Sequence, residues 1–271
     1  MEAYDKQILK GKIIKWSCLI KEWDIEWITG IYPGEMGAFL GMCEFCGVRS
    51  IIESGRGEHA YSTQVLGEYA DRTSTKLVSI DFSSTQRKGF HERLLLYHNL
   101  SCVNGNTFNI LPKVAHGLPG PIALLLDGPK MQSANRLSVV ASTMYDIQVI
   151  AHHNCFLGSP WGQEFAKVFP RAFHYEDLDL SSFSEWQEFK SWETEWVRGY
   201  EVSDAAHDTV GRSLQTSSLA MASLSPELRS QRRVFKSQGG LSPNTLAWLW
   251  FKWSGINLAL EILKRVGFQY K

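Results

Sequence analysis

The stretch from Val48 to Ala60 constrains this chain more than any other. Val48, Ile51 and Ile52 are β-branched and read as a strand buried on both faces. Gly55 and Gly57 follow, where glycine lets the backbone turn sharply and approach a ligand without a Cβ in the way. A helix from about His59 would present its first N–H groups to that ligand. Strand, glycine turn and helix together predict a nucleotide-type site.

The same alternation continues downstream. Glu35–Cys46 predicts a helix leading into the first strand, and Tyr61–Ala70 one leaving the glycine turn. Strands are expected at 76–81, 100–103, 121–126 and 146–151, separated by helices at 86–98, 108–114 and 133–143. Alternation at this spacing implies a doubly wound, mostly parallel α/β sheet. Ligands of such sheets sit beyond the carboxyl ends of the strands. Polar residues fall at those ends: Asp81 with Phe82, then Asn104-Gly105-Asn106, then Asp127-Gly128-Pro129-Lys130, then His152-His153-Asn154.

The flanks differ in composition. Residues 1–34, with Trp16, Trp23 and Trp27, read as an N-terminal helical cap on the sheet domain at 35–180. That domain is expected to close with a helix at 161–169 and a late strand at 172–175. Residues 181–271 form a Trp-rich helical C-terminal extension in this reading. It holds a helix at 184–200, then a Ser- and Gln-rich stretch at 203–244 expected as loops or loosely packed helices. A final helix is expected at 246–266, apolar almost all round, with Trp248, Trp250 and Trp253. It suits a core position, a homodimer contact or a peripheral membrane contact. Lys252 and Glu261 argue against a membrane span.

Twenty-eight basic residues balance 28 acidic ones, so the chain lacks the field that nucleic acid would need, and no nucleic-acid partner is expected. Five cysteines, an odd count, and a polar opening from Met1 to Lys15 predict a cytoplasmic protein. Cys43 and Cys46 form Cys-x-x-Cys within the predicted helix. No second pair follows at zinc spacing, so both are expected to pack rather than react.

Gly55 to Ala60 matches the Gly-x-Gly-x-x-Ala fingerprint of dinucleotide sites, with Asp81 as the ribose acid. Glu53 speaks against a dinucleotide, because a carboxylate two residues before Gly55 would repel pyrophosphate. It suits a cationic ligand instead. The ordered set Glu53-Ser54-Gly55-x-Gly57, Asp81, Asn104-Gly105-Asn106 and Asp127-Gly128-Pro129-Lys130 resembles the class I S-adenosylmethionine-dependent methyltransferases over residues 35–155. The resemblance implies that Glu53 to Gly57 hold the methionine part and that Asp81, beside Phe82, accepts from both ribose hydroxyls. It also implies that Asn104 and Asn106 line the adenine side. At Asn106 the family often carries an acid, and an amide oxygen still accepts a hydrogen bond there.

The fourth and fifth strand ends resemble those of metal-dependent catechol-type O-methyltransferases. That likeness implies Asp127 as a ligand of a divalent ion, Lys130 as a base, and His153 and Asn154 as the remaining metal ligands. His153 stands where that family has an Asp. Two versions follow. In one, a divalent metal on Asp127 lowers the pKa of a substrate hydroxyl and Lys130 takes its proton. In the other there is no metal, and His152 or His153 is the general base. The implied reaction is methyl transfer to an oxygen, less readily a nitrogen, of a small-molecule or sugar-like acceptor. The alternatives are an NAD-dependent oxidoreductase built on the glycine fingerprint and a non-catalytic scaffold docking a membrane or protein. Hydroxylases and lyases on the same fold are a third.

Overall fold

The apolar runs become strands because their side chains alternate between two hydrophobic layers, as a strand's period of two requires. Ile51, Leu77, Ala123, Leu125, Val149 and Ala151 join one core, while Ile52, Val78, Ile80, Leu124, Leu126 and Ile150 join the other. The structure, a computed structural model, describes residues 3–25, 30–57, 59–83, 89–129, 131–169, 172–203 and 219–223. Its six strands are β1 (Ser50–Ser54), β2 (Lys76–Asp81), β3 (Leu100–Asn104), β4 (Ile122–Leu126), β5 (Ile147–His152) and β6 (Ala220–Ser223). They lie in the order β3-β2-β1-β4-β5-β6. The first five are parallel, and β6 runs antiparallel to β5. The sheet is thus doubly wound and mostly parallel, as expected, with an antiparallel last strand. This doubly wound order with an antiparallel last strand is compatible with the fold that the resemblance to class I methyltransferases implied.

The helices are α1 (Ala3–Glu22), α2 (Pro33–Phe45), α3 (Tyr61–Thr73), α4 (Phe90–Leu94), α5 (Thr107–Gly117), α6 (Met131–Met144), α7 (Pro160–Val168) and α8 (Ser184–Ser203). A 3₁₀ turn occupies Tyr175–Leu178. Side chains of α1, α2, α3 and α8 fill the core on one face, including Leu9, Phe39, Leu66 and Phe189. Those of α5, α6 and α7, including Leu111, Leu137 and Phe165, fill the other. Helix α1 is 20 residues long, and its Leu9, Ile13, Ile14, Trp16 and Ile20 join the main core. Cys43 is fully buried in α2, and burial pushes its thiol well above the ordinary value, which suits a packing role.

Three expectations change. The helix at 86–98 shrinks to Phe90–Leu94 among the described residues. Asp71 accepts the backbone N–H groups of His98 and Asn99, at 3.0 and 2.8 Å, and so turns the chain into β3 early. The late strand at 172–175 is a single bridge, Phe173 to Met221. The third change lies in the Ser-rich stretch, where loops or loose helices were expected and β6 is found instead. Its Ala220, Met221 and Ala222 are fully buried, and their backbone pairs with β5. Glu35 accepts the Leu219 N–H at 2.9 Å, and His174 Nδ1 bonds the Leu219 carbonyl at 3.1 Å. These two side chains hold the chain at the entrance to β6. The predicted helix at 246–266 lies outside the described residues. Among the described residues, no helix is long and apolar enough to cross a membrane.

Candidate active site

The strand order reverses between β1 and β4, and that reversal opens a crevice at the carboxyl ends. The glycine loop after β1 forms one wall. Gly55 has φ of +97°, and a Cβ there would strike the backbone of Asp127 and Gly128, so only glycine permits this approach. Gly57 has φ of +66°, and among the described residues nothing lies within 4 Å of where its Cβ would be. Gly55 therefore faces protein, while Gly57 faces space.

Asp81 ends β2 beside this space. Its Oδ2 accepts the Gly57 N–H at 2.8 Å, and its Oδ1 accepts the Ser83 N–H at 2.7 Å. The carboxylate thus fixes the glycine loop and keeps a second lone pair on each oxygen. Phe82, next in the chain, is half exposed.

Glu53 departs from its expected role. It is completely buried, and three hydroxyls donate to it: Ser62 at 2.5 Å, Thr63 at 2.6 Å and Ser79 at 2.5 Å. Burial raises its carboxyl above the usual range, while those hydroxyls and the Arg56 charge pull it back. The geometry gives Glu53 the task of tying β1 to the first turn of α3 and to β2, rather than direct contact with a cationic ligand. Arg56, between the two glycines, is 4% exposed. Its guanidinium donates to the Ser79 carbonyl and to Asn104 Oδ1, both at 3.0 Å. Arg56, Ser62, Thr63 and Ser79 escaped the sequence reading. The available signal was Glu53 itself, since a carboxylate inside an apolar strand demands polar partners.

At the end of β3, Asn104 is braced by Arg56, and Asn106 caps α5 by accepting the Phe108 N–H at 2.9 Å. Ser54 is fully buried. Its hydroxyl lies 2.5 Å from Thr107 Oγ1 and donates to the Gly128 carbonyl.

The far wall is the pair His153 and Asp127. His153 Nδ1 lies 2.5 Å from Asp127 Oδ1. An ionised carboxylate only accepts, so the Nδ1 proton sits between them and Nε2 is the basic nitrogen. His152 points elsewhere. It is buried against Phe165, with Nε2 2.5 Å from Ser138 Oγ. Burial pushes its pKa down to about 3, so it stays neutral and structural. Of the two candidate bases, His153 is the one paired with a carboxylate.

The donor set Asp127, His153 and Asn154 does not suit magnesium. It offers one carboxylate, and that carboxylate is already bonded to the imidazole, whereas magnesium asks for an octahedron of oxygens. Among the described residues, no group of three His, Cys, Asp or Glu stands close enough to hold a metal ion. Lys130 lies outside the described residues.

No family model matches the chain, and no curated protein sequence does. Among solved structures, it is similar to the O-methyltransferase TomG from Streptomyces achromogenes, involved in tomaymycin synthesis and solved with SAM. The identity is 16%, over 79% of this chain and 90% of that one, with a TM-score of 0.43. It is also similar to the O-methyltransferase from Bacillus cereus in complex with SAH, at 16% identity over 61% and 81% of the two chains and a TM-score of 0.41. A third is the SAH-bound methyltransferase PaMTH1 from Podospora anserina, at 13% identity over 82% and 93%, with a TM-score of 0.40. The likeness is loose, and the fold assignment rests on the strand order observed in this chain.

Proposed function

We propose that this chain transfers a methyl group from S-adenosylmethionine to an oxygen of a small-molecule acceptor, with His153 as general base and no metal. The observation that carries the reading is the His153–Asp127 pair, at 2.5 Å, at the carboxyl ends of the neighbouring strands β5 and β4, beside the point where the strand order reverses.

The site fits the adenosyl group at two places. Space opens at Gly57, and Asp81 stands beside it with lone pairs for ribose hydroxyls. Asn104 and Asn106 border the adenine side. A pyrophosphate fits less well, because the first turn of α3 is already engaged with the buried Glu53 through Ser62 and Thr63.

S-adenosylmethionine, when bound, supplies an electrophilic methyl on its sulfonium. Asp127 holds the His153 ring in one orientation. His153 Nε2 takes the proton of the acceptor hydroxyl as the oxygen–carbon bond forms and the sulfur–carbon bond breaks. Charge balances, since the sulfonium becomes a neutral thioether and the imidazole becomes an imidazolium. The remaining task is to hold the reactants in line. In this proposal the N-terminal cap, residues 1–34, and the extension, residues 181–271, shape the acceptor pocket around the sheet domain. The half-buried Trp192 and Trp196, with ring centroids 4.9 Å apart, offer flat surfaces of the kind an aromatic or sugar ring stacks on.

Calorimetric titration of the purified chain with S-adenosylhomocysteine, with NAD run alongside, tests the reading. Micromolar binding of the first and none of the second is expected. NAD binding, or binding of neither, overturns it.

A further inference from the structure

Ser54, which the resemblance places in the loop at the methionine end, directs its carbonyl and its hydroxyl at the turn after β4. Its backbone carbonyl accepts both Asp127 N–H, at 2.7 Å, and Gly128 N–H, at 2.9 Å. Its hydroxyl donates to the Gly128 carbonyl on the far side of the same turn. One residue thus grips the turn after β4 by two of its N–H groups and one of its carbonyls. Gly55 presses on the turn from the next position, leaving no room for a side chain.

Asp127 is carried on that turn, and the turn is anchored from the other side as well. His153 N–H donates to the Leu126 carbonyl at 2.9 Å. The relative placement of the two side chains therefore depends on how β1 holds the turn. Ser54 supplies a side-chain bond to this grip, and it is fully buried, so water cannot replace the hydroxyl easily. Thr107, at the start of α5, meets the same hydroxyl at 2.5 Å.

We propose that Ser54 is a positioning residue for the His153–Asp127 pair, its hydroxyl fixing the Asp127–Gly128 turn so that the carboxylate meets His153 Nδ1. The inference rests on the reading of that pair as the base, but the geometry it asserts can be measured without turnover. Losing the grip lets Asp127 drift, and misplacement of about 1 Å at a reacting group costs on the order of 100-fold in rate.

The test uses the full chain with Ser54→Ala, Ser54→Thr and Thr107→Val. The readouts are the His153 Nδ1–H proton resonance, exchange protection of the Asp127 and Gly128 amides, affinity for S-adenosylhomocysteine, and kcat against KM. Ser54→Ala is expected to lose the imidazole resonance and amide protection. It should lower kcat roughly 10- to 100-fold and leave cofactor affinity within about threefold. Ser54→Thr restores the signals, and Thr107→Val keeps them. Should Ser54→Ala fail to fold, Ser54→Cys, close in size with a weaker donor, is expected to show intermediate loss of protection. Unchanged resonance and protection in a folded Ser54→Ala or Ser54→Cys chain overturn the proposal, as does an equal loss in Thr107→Val. If the wild-type chain binds no S-adenosylhomocysteine while the resonance still responds to Ser54, the methyltransferase reading falls and the positioning role stands.

Discussion

His153 Nδ1 and Asp127 Oδ1 stand 2.5 Å apart at the ends of neighbouring strands, with the His153 ring almost fully buried and the Asp127 carboxylate less so. The pair brings an acceptor-only group to one nitrogen and thereby sets the tautomer of the other. His153→Gln is expected to lower kcat by about 100- to 10,000-fold, the usual contribution of a positioned general base, while S-adenosylhomocysteine affinity stays near wild type. Stopped assays with a matched acceptor, together with calorimetry, check both parts. A variant with wild-type turnover removes His153 from the chemistry.

The same pairing bears on metal dependence. With the Asp127 carboxylate bonded to His153, the donor set at this strand end lacks the oxygens a magnesium ion needs. Dialysis against EDTA is therefore expected to leave turnover within about twofold, since the base needs no Lewis acid beside it. Loss on chelation with recovery on added magnesium or manganese would refute the metal-free route.

Asp81 joins two tasks, holding the glycine loop through Gly57 N–H and presenting lone pairs to the space beside it. Asp81→Asn keeps the shape and loses the charge. Hydrogen bonds to a charged group contribute about 1.5–3 kcal/mol, so affinity for S-adenosylhomocysteine should fall roughly 10- to 100-fold. Calorimetry measures the loss, and a melting curve shows whether the loop survives. Unchanged affinity would free Asp81 from the ribose assignment.

Two glycines two residues apart should answer differently to alanine. At Gly55 a Cβ meets the backbone of Asp127 and Gly128, with no side chain to swing aside. Gly55→Ala should therefore destabilise the whole β1–β4 junction and lower the melting temperature by many degrees. At Gly57 the Cβ meets nothing, and the cost is the left-handed backbone alone, about 1–2 kcal/mol. Gly57→Ala should stay folded yet bind S-adenosylhomocysteine poorly, because the methyl group projects into the ligand space. Equal melting losses in the two variants would sink the contrast in packing, and wild-type affinity in a folded Gly57→Ala chain would show that no ligand sits at Gly57.

The parallel strands were legible because runs such as Ile122–Leu126 are apolar throughout, and strands covered on both faces must be so. Strand β6 was not. Its Ala220, Met221 and Ala222 have weak strand preference, and what makes them a strand is a neighbour that the local sequence does not contain. The site divides the same way. Asp81, Asp127 and His153 were singled out by their place after apolar runs, a local signal, and the strand ends they occupy were legible for that reason. The work of Glu53 was misjudged because it depends on Ser62, Thr63, Ser79 and Arg56, which close around it only when β1, β2 and α3 assemble. The choice between His152 and His153 was likewise invisible in the sequence. Adjacent residues on a strand point to opposite faces, and only the fold says which face is core.

That choice has a consequence for acid stability. His152 is fully buried beside Phe165, and burial pushes its pKa down to about 3. In the unfolded chain the same imidazole titrates near pH ~6.5. Between those values the unfolded chain binds a proton that the folded chain refuses. Its contribution to stability is therefore full above about pH 6.5 and is lost as the pH falls toward 3. The limiting slope is about 1.4 kcal/mol per pH unit, a large share of the stability of an ordinary domain. His152→Gln removes the titration while keeping a polar group for Ser138. Its melting temperature should start lower at pH 7.5 and fall less steeply than wild type down to pH 5. Parallel curves for the two proteins would show that acid sensitivity in this range arises elsewhere, whereas convergence toward low pH assigns it to the imidazole at the end of β5.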